Sequence, residues 1–279
     1  MESALYVVAT PIGNLEDITL RGIATLRSVD LIAAEDTRHT RRLLQHLEID
    51  TPLTAYHEHS DDSVAARLCE RVVAGQSVAL VSDAGTPMIS DPGYRLLRAA
   101  QTAGLRVVPI PGPCAAVAAL SVSGLPSDRF LFVGFLPART VARQTRLSSL
   151  ADAQATLVFY EAPHRLQGAL ADLVLCLGGE RGAVLARERS KAFETVRRSS
   201  LDDLVAFVAA DSNQCRGEIV LLVAGTAARD PGVDPALAEL MQSLSERMPP
   251  REAAALLATY SGVRKNRLYT HWLEARGNP

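Results

Sequence analysis

Long apolar runs are missing from this chain: none approaches the roughly 20 residues that a membrane helix needs, so no membrane span is expected. No basic segment precedes the apolar text that begins at Leu5, which argues against a secretory signal. Cysteine is scarce and scattered. Cys69, Cys114, Cys176 and Cys215 lie far apart, a spacing that suits reduced core thiols in a cytoplasmic protein better than disulfides or a zinc site. Lysine is nearly absent, since only Lys191 and Lys265 stand among the 29 basic residues, and the formal net charge is −2. The molecule is therefore no polycation that coats nucleic acid, and any such contact must be local. The chain also has no Gly-x-Gly-x-x-Gly, no Walker A motif and no His-Glu-x-x-His, so dinucleotide binding, nucleotide hydrolysis and zinc proteolysis lose support. His57-Glu58-His59 reads as a solvated loop, because no carboxylate or cysteine cluster completes a ligand set, and no metal is expected.

What is present is an alternation of short apolar runs with helix-period text, the pattern of an α/β fold. Residues 5–9, 31–34, 78–81 and 106–109 predict strands, and 20–27, 41–47, 64–74 and 94–103 the helices between them. After a small-residue helix at 114–122, Gly124-Leu125-Pro126-Ser127-Asp128 breaks the pattern and marks a domain boundary. Strands at 130–135, 156–160, 183–186 and 218–223 and helices at 166–176 and 201–209 then predict a second sheet. A turn-rich linker, Asp230-Pro231-Gly232-Val233-Asp234-Pro235, leads to two helices at 251–260 and 264–274 around Ser261-Gly262, a helix-turn-helix-like pair with a modest basic bias. The expected organisation is an α/β domain at 1–124, a second at 125–226 and a helical appendage at 233–279.

Three expected strand ends carry unusual loops: Thr10-Pro11-Ile12-Gly13-Asn14, Ser82-Asp83-Ala84-Gly85-Thr86-Pro87 and Pro109-Ile110-Pro111-Gly112-Pro113-Cys114-Ala115. Ligands bind beyond the carboxyl ends of strands in an open parallel sheet, and there glycine admits close approach while proline stiffens the loop. Three ordinary turns are the plainer alternative. Their coincidence on successive strands favours a cleft.

On these residues the chain resembles the tetrapyrrole methylase superfamily, with Gly85-Thr86-Pro87 where many relatives have Gly-Asp-Pro. Within it, the chain is similar to the members that methylate a cytidine ribose 2′-hydroxyl in ribosomal RNA. That likeness rests on Ala33-Ala34-Glu35-Asp36-Thr37-Arg38-His39-Thr40, on 81–94, on Gly124 through Phe130, on Phe159-Tyr160-Glu161-x-x-His164-Arg165 and on Ala186-Arg187-Glu188. Its arginine-rich stretch at 138–143 departs from the lysine-rich loop expected in relatives.

The resemblance implies two tetrapyrrole-methylase-type α/β domains with S-adenosyl-L-methionine folded between them. It also implies the decoding region of the small-subunit (16S) RNA as target, a homodimer and a cytoplasmic location. The cofactor is expected at Pro11, Asp83, Gly85, Thr86, Pro87, Met88, Ile89, Cys114, Ala115 and Ala186. Because a ribose hydroxyl is a poor nucleophile, a proton acceptor or an alkoxide-stabilising charge is needed, and Asp36, Arg38, His39, Glu188 and Lys191 are the candidates. Lys191 stands out as a lysine spared among arginines, either to deprotonate the hydroxyl or to neutralise the alkoxide. Glu35, Glu161, His164, Arg165, Arg187, Arg264, Lys265 and Arg267 are the expected RNA contacts. Asp36 equally suits a helix cap, and Glu161 could simply pair with Arg165. The competing functions are methylation of a tetrapyrrole or of a modified histidine, and a non-catalytic RNA-binding assembly factor.

Overall fold

The fold comes from a computed structural model that describes residues 1–57, 60–226 and 233–277. Glu58 and His59 of the histidine triplet, and Asp230, Pro231 and Gly232 of the expected linker, lie outside the described residues. Residues 1–225 form one compact unit and 226–279 another.

The first unit opens with β1 (Leu5–Val8), α1 (Leu20–Ser28), β2 (Leu31–Ala34), α2 (Thr37–His46), β3 (Leu53–Ala55), α3 (Asp62–Val73), β4 (Val78–Val81), α4 (Tyr94–Thr102) and β5 (Val107–Ile110). The strands make a wholly parallel sheet in the order β3-β2-β4-β1-β5. β1, β2 and β4 are buried along their whole length, which is why they read as unbroken apolar text. Alternate side chains serve the two faces. Tyr6, Val8, Ile32, Ala34, Ala79 and Val81 meet Leu26 of α1 and Leu43 and Leu44 of α2, while Leu5, Leu31, Ala33, Val78 and Leu80 meet Leu68 of α3 and Leu96 of α4. β3 was not expected from the sequence. It is three residues long and only partly buried.

A second sheet follows, built from α5 (Ala115–Ser123), β6 (Phe130–Phe135), α6 (Thr140–Ser148), β7 (Thr156–Glu161), α7 (Leu166–Leu177), β8 (Gly182–Arg187), β9 (Thr195–Ser200), α8 (Leu201–Ala210) and β10 (Ile219–Val223). Its order is β6-β7-β10-β8-β9, and only β6 and β7 run parallel, so a mostly parallel architecture holds for the first sheet alone. α5 ends at the boundary expected at 124. Its Ala116, Ala119 and Leu120 pack against Val158, Val184, Ala186, Val220 and Leu222, so this helix belongs to the packing of the second sheet. Small residues let it lie close to the strands. Gly124 ends it in the left-handed conformation, at φ 64°.

The C-terminal unit holds α9 (Pro235–Ser245), α10 (Pro250–Ser261) and α11 (Lys265–Ala275). Met241, Ala253, Ala254, Leu257, Val263 and Leu268 form its own core. Two helices were expected; α9 is the third, and it supplies Met241. Among the described residues no helix is long and apolar enough to cross a membrane.

Candidate active site

β4, β1 and β5 are neighbours in the sheet, so the three loops that follow them emerge side by side. They are stitched together. Thr10 and Gly85 exchange backbone hydrogen bonds, with Thr10 N donating to Gly85 O at 2.8 Å and Gly85 N to Thr10 O at 3.0 Å. The Thr86 hydroxyl donates to Pro113 O at 2.9 Å and binds the second loop to the third. The second loop also carries Met88 and Ser90 at φ 73° and 68°, a costly conformation for residues with side chains and one that clusters at functional sites.

A cavity of about 310 Å³ opens over these loops. Ile12, Gly85, Thr86, Ile89, Cys114 and Ala115 line it from the first sheet, and Phe135, Tyr160, Gly217, Ile219 and Val220 from the second. Its ionisable lining is Asp91, Glu161 and Glu218 with Tyr160 and Cys114, and it includes no lysine, arginine or histidine. Burial pushes the Asp91 carboxyl up to about 6, opposed by a hydrogen bond from Ser82 and reinforced by the carboxylates of Glu35 and Asp83. Tyr160 Oη accepts from Ala116 N at 3.1 Å at the start of α5, and burial raises its hydroxyl well above the ordinary phenol range.

A second cavity of about 440 Å³ is lined by Thr10, Pro11, Gly13, Leu15, His39, Thr40, Leu43, Ser82, Asp83 and Lys191. Ile12, Ala84 and Glu218 line both, so the cavities adjoin. Lys191 Nζ donates to Glu188 Oε1 at 3.0 Å and to Glu218 Oε2 at 3.1 Å. Its stem lies against Gly13, where an added Cβ would fall 2.5 Å from Lys191 Cε. Burial works against the Lys191 charge, but its bonds to Glu188 and Glu218 outweigh it and raise the pKa. The ammonium stays protonated. Lys191 thus holds its charge between two carboxylates, Glu188 and Glu218.

The other expected residues divide. Gly85, Thr86, Ile89, Cys114 and Ala115 line the first cavity; Pro11, Asp83 and His39 line the second. Pro87, Met88 and Glu35 line neither, and Ala186 is buried under α5. Asp36 caps α2 by accepting from Arg38 N at 2.8 Å and pairs with the Arg38 guanidinium at 2.8 Å, which holds its carboxyl far below the usual range. Both stand outside the two cavities. Arg187 is buried, and its Nη2 donates to Phe193 O and Thr195 Oγ1, each at 3.1 Å, which staples the β8–β9 turn. Arg165 Nε lies 3.2 Å from Glu161 Oε1, and its guanidinium donates to Leu136 O, so this pair is internal as well. His164 is exposed outside both cavities. Sequence reasoning missed Asp91 and Glu218 as lining residues. Asp91 sat in the loop-rich stretch at 81–94, but Glu218 had no sign beyond its place at the head of a strand.

Comparison with known proteins gives the family. Residues 4–205 match the family of tetrapyrrole (corrin/porphyrin) methylases, and residues 231–276 match the RsmI C-terminal HTH domain. The chain is 55% identical over 276 residues to the Ribosomal RNA small subunit methyltransferase I of Pseudomonas aeruginosa, covering 98% of each chain. It is 49% identical to the protein of the same name from Escherichia coli O157:H7, over 99% of this chain and 96% of that one. Among solved structures, the methyltransferase CobJ is similar with a TM-score of 0.60 at 20% identity, covering 81% of this chain and 95% of CobJ. A uroporphyrin-III C-methyltransferase from Thermus thermophilus, solved in complex with S-adenyl homocysteine, is similar with a TM-score of 0.55 at 19% identity, over 79% of this chain and 97% of that one. These two neighbours speak for the fold. The full-length match at half identity goes further: the chain belongs to the ribosomal RNA small subunit methyltransferase I family of the tetrapyrrole methylases.

Proposed function

We propose that this protein transfers a methyl group from S-adenosyl-L-methionine to the 2′-hydroxyl of a cytidine in the decoding region of small-subunit ribosomal RNA, acting as a cytoplasmic homodimer. The observation that carries the reading is the junction of two unlike cavities. One is mostly apolar and its charged lining is acidic; the other carries more polar groups, among them Lys191 and His39.

The first cavity fits the methyl donor. Backbone at Gly85, Thr86, Ile89, Cys114 and Ala115 would hold it, and Asp91 offsets a positive charge there. When bound, the donor supplies an electrophilic methyl group. The chain's own residues do the rest. Lys191 keeps a fixed positive charge beside the substrate cavity, where it neutralises charge developing on the hydroxyl oxygen, and preorganised charge of this kind needs no rearrangement during reaction. His39 lines the same cavity and positions the nucleotide. A tetrapyrrole rich in carboxylates is disfavoured, because the basic lining amounts to His39 and a Lys191 already paired with two acids.

Substrate docking falls to the C-terminal unit. Arg264 stands at the N-cap position of α11 without a side-chain capping bond, and Lys265 and Arg267 lie in its first turn with no acid among them. Basic side chains at a helix N-terminus oppose the dipole, so this placement is better explained by a phosphate ligand than by helix stability. Self-association finds support in β6, an edge strand that exposes Phe130 and Leu131. The deciding experiment incubates purified protein and methyl-labelled cofactor with small subunits that lack the modification, then maps the product. Label in 2′-O-methylcytidine is expected. Label on a base, or in protein, overturns the proposal.

A further inference from the structure

We propose that Glu218 accepts the proton from the hydroxyl that is methylated. The proposal rests on the methyltransferase reading above and assigns the proton acceptor that this reading leaves open.

The case begins with position. Glu218 is the one ionisable side chain among the described residues that lines both cavities. A group that takes a proton from the attacking oxygen must stand where donor and acceptor spaces meet, within hydrogen-bond reach of that oxygen. The other acids are placed or occupied differently. Glu188 lies outside both cavities and binds Lys191 and the Glu218 backbone. Asp83 Oδ1 accepts from Asp36 N at 3.0 Å, and Asp36 is tied to Arg38. Asp91 lines the donor cavity alone, and His39 the substrate cavity alone.

Glu218 is also held for the task. Its backbone N donates to Glu188 Oε1 at 2.9 Å, and Glu188 N donates back to Glu218 O at 2.9 Å. The preceding Gly217 sits at φ 77°, and a Cβ there would fall 2.0 Å from Glu188 Oε1, so a side chain at 217 would break the arrangement. Lys191 anchors Oε2 at 3.1 Å, while Oε1 has no hydrogen-bond partner among the described residues. The side chain is 64% exposed. One oxygen is fixed and the other is open.

The step balances. The ribose oxygen forms its bond to the methyl carbon as the carbon–sulfur bond breaks, and that electron pair stays on sulfur, turning a sulfonium into a neutral thioether. The hydroxyl proton passes to Glu218 Oε1, and Lys191 remains charged throughout.

The test uses the full-length protein with Glu218→Gln. Calorimetry with S-adenosylhomocysteine should give an affinity within twofold of wild type. Single-turnover methylation of small subunits lacking the modification should fall about a hundredfold, the usual scale for one acid–base group. The acidic limb of the pH–rate profile should vanish in Glu218→Gln and persist, at lower rate, in Glu218→Asp. A Gln variant within twofold of the wild-type rate overturns the proposal. So does a Gln variant slowed equally at every pH with its acidic limb intact, the behaviour of a residue that merely positions Lys191. Wild-type protein that transfers no methyl group to the RNA removes the methyltransferase reading as well.

Discussion

Two side chains carry predictions of their own. Lys191 is wedged between Gly13, Glu188 and Glu218, a space that suits a compact ammonium on a thin stem. Lys191→Arg preserves the charge but brings a planar fork that cannot occupy the same point, so arginine is no conservative exchange here. Single-turnover methylation should drop about tenfold with donor affinity unchanged, less than for loss of the charge itself. A rate within twofold of wild type would make Lys191 an ordinary surface charge. Asp91 predicts a pH dependence. Burial raises its carboxyl from 3.8 in the open chain to about 6 in the folded protein. The folded state therefore holds the proton more tightly, and its advantage is complete below the open-chain value and lost as pH rises through about 6. Asp91→Asn cannot ionise, so its Tm relative to wild type should climb across that window and level off above it. A difference that stays flat with pH would mean that the carboxyl ionises as freely as in water.

At the scale of elements, the second loop is the part whose conformation most restricts its sequence. Gly85 has φ 82°, yet a Cβ there would meet Ile12 Cγ2 no closer than 3.4 Å. The obstacle to Gly85→Val is thus backbone strain more than lack of room, since a β-branched residue strongly resists this region. The loop should shift and break the paired bonds with Thr10. S-adenosylhomocysteine affinity should fall at least tenfold by calorimetry in a protein that remains folded, and an unchanged affinity would remove the loop from the donor site. These loops were legible in the sequence because glycine and proline are local signals. So were β1, β2 and β4, whose complete burial writes itself as unbroken apolar text. β9 was not legible: Thr195-Val196-Arg197-Arg198-Ser199-Ser200 is an edge strand largely open to solvent, so nothing forces an apolar alternation. The roles of Arg187 and Glu161 were hidden for a related reason. A charged residue at a strand end reads the same whether it faces a ligand or a buried backbone carbonyl; the fold supplied Phe193 O for Arg187, and for Glu161 it selected Arg165, one of the two readings the sequence left open.

The molecule as a whole carries a net charge of −2, so attraction to RNA cannot come from its overall field and must be concentrated somewhere. In the C-terminal unit, aromatic stacking and arginine combine on α11. Tyr269 and Trp272 stack at 6.0 Å, with Arg251 5.6 Å from the first ring and Arg276 4.6 Å from the second. These interactions, with the apolar core of Met241, Leu257 and Leu268, fix the helix that presents Arg264, Lys265 and Arg267 at its positive end. Replacing all three by alanine in the full-length protein takes away charge where the helix dipole already disfavours it, so Tm should not fall appreciably. Binding to RNA should weaken most at low salt, because each phosphate that a basic side chain neutralises releases counterions. The slope of log affinity against log salt should become shallower by about 0.7–0.9 for each phosphate no longer neutralised, or about two units for the three residues together. Donor affinity, which belongs to the other unit, should be unchanged. An unaltered salt slope in the triple variant would mean that this helix does not touch the RNA backbone, and the phosphate-binding residues would then have to be sought on the first unit, where Arg38, Arg41 and Arg42 stand exposed on α2.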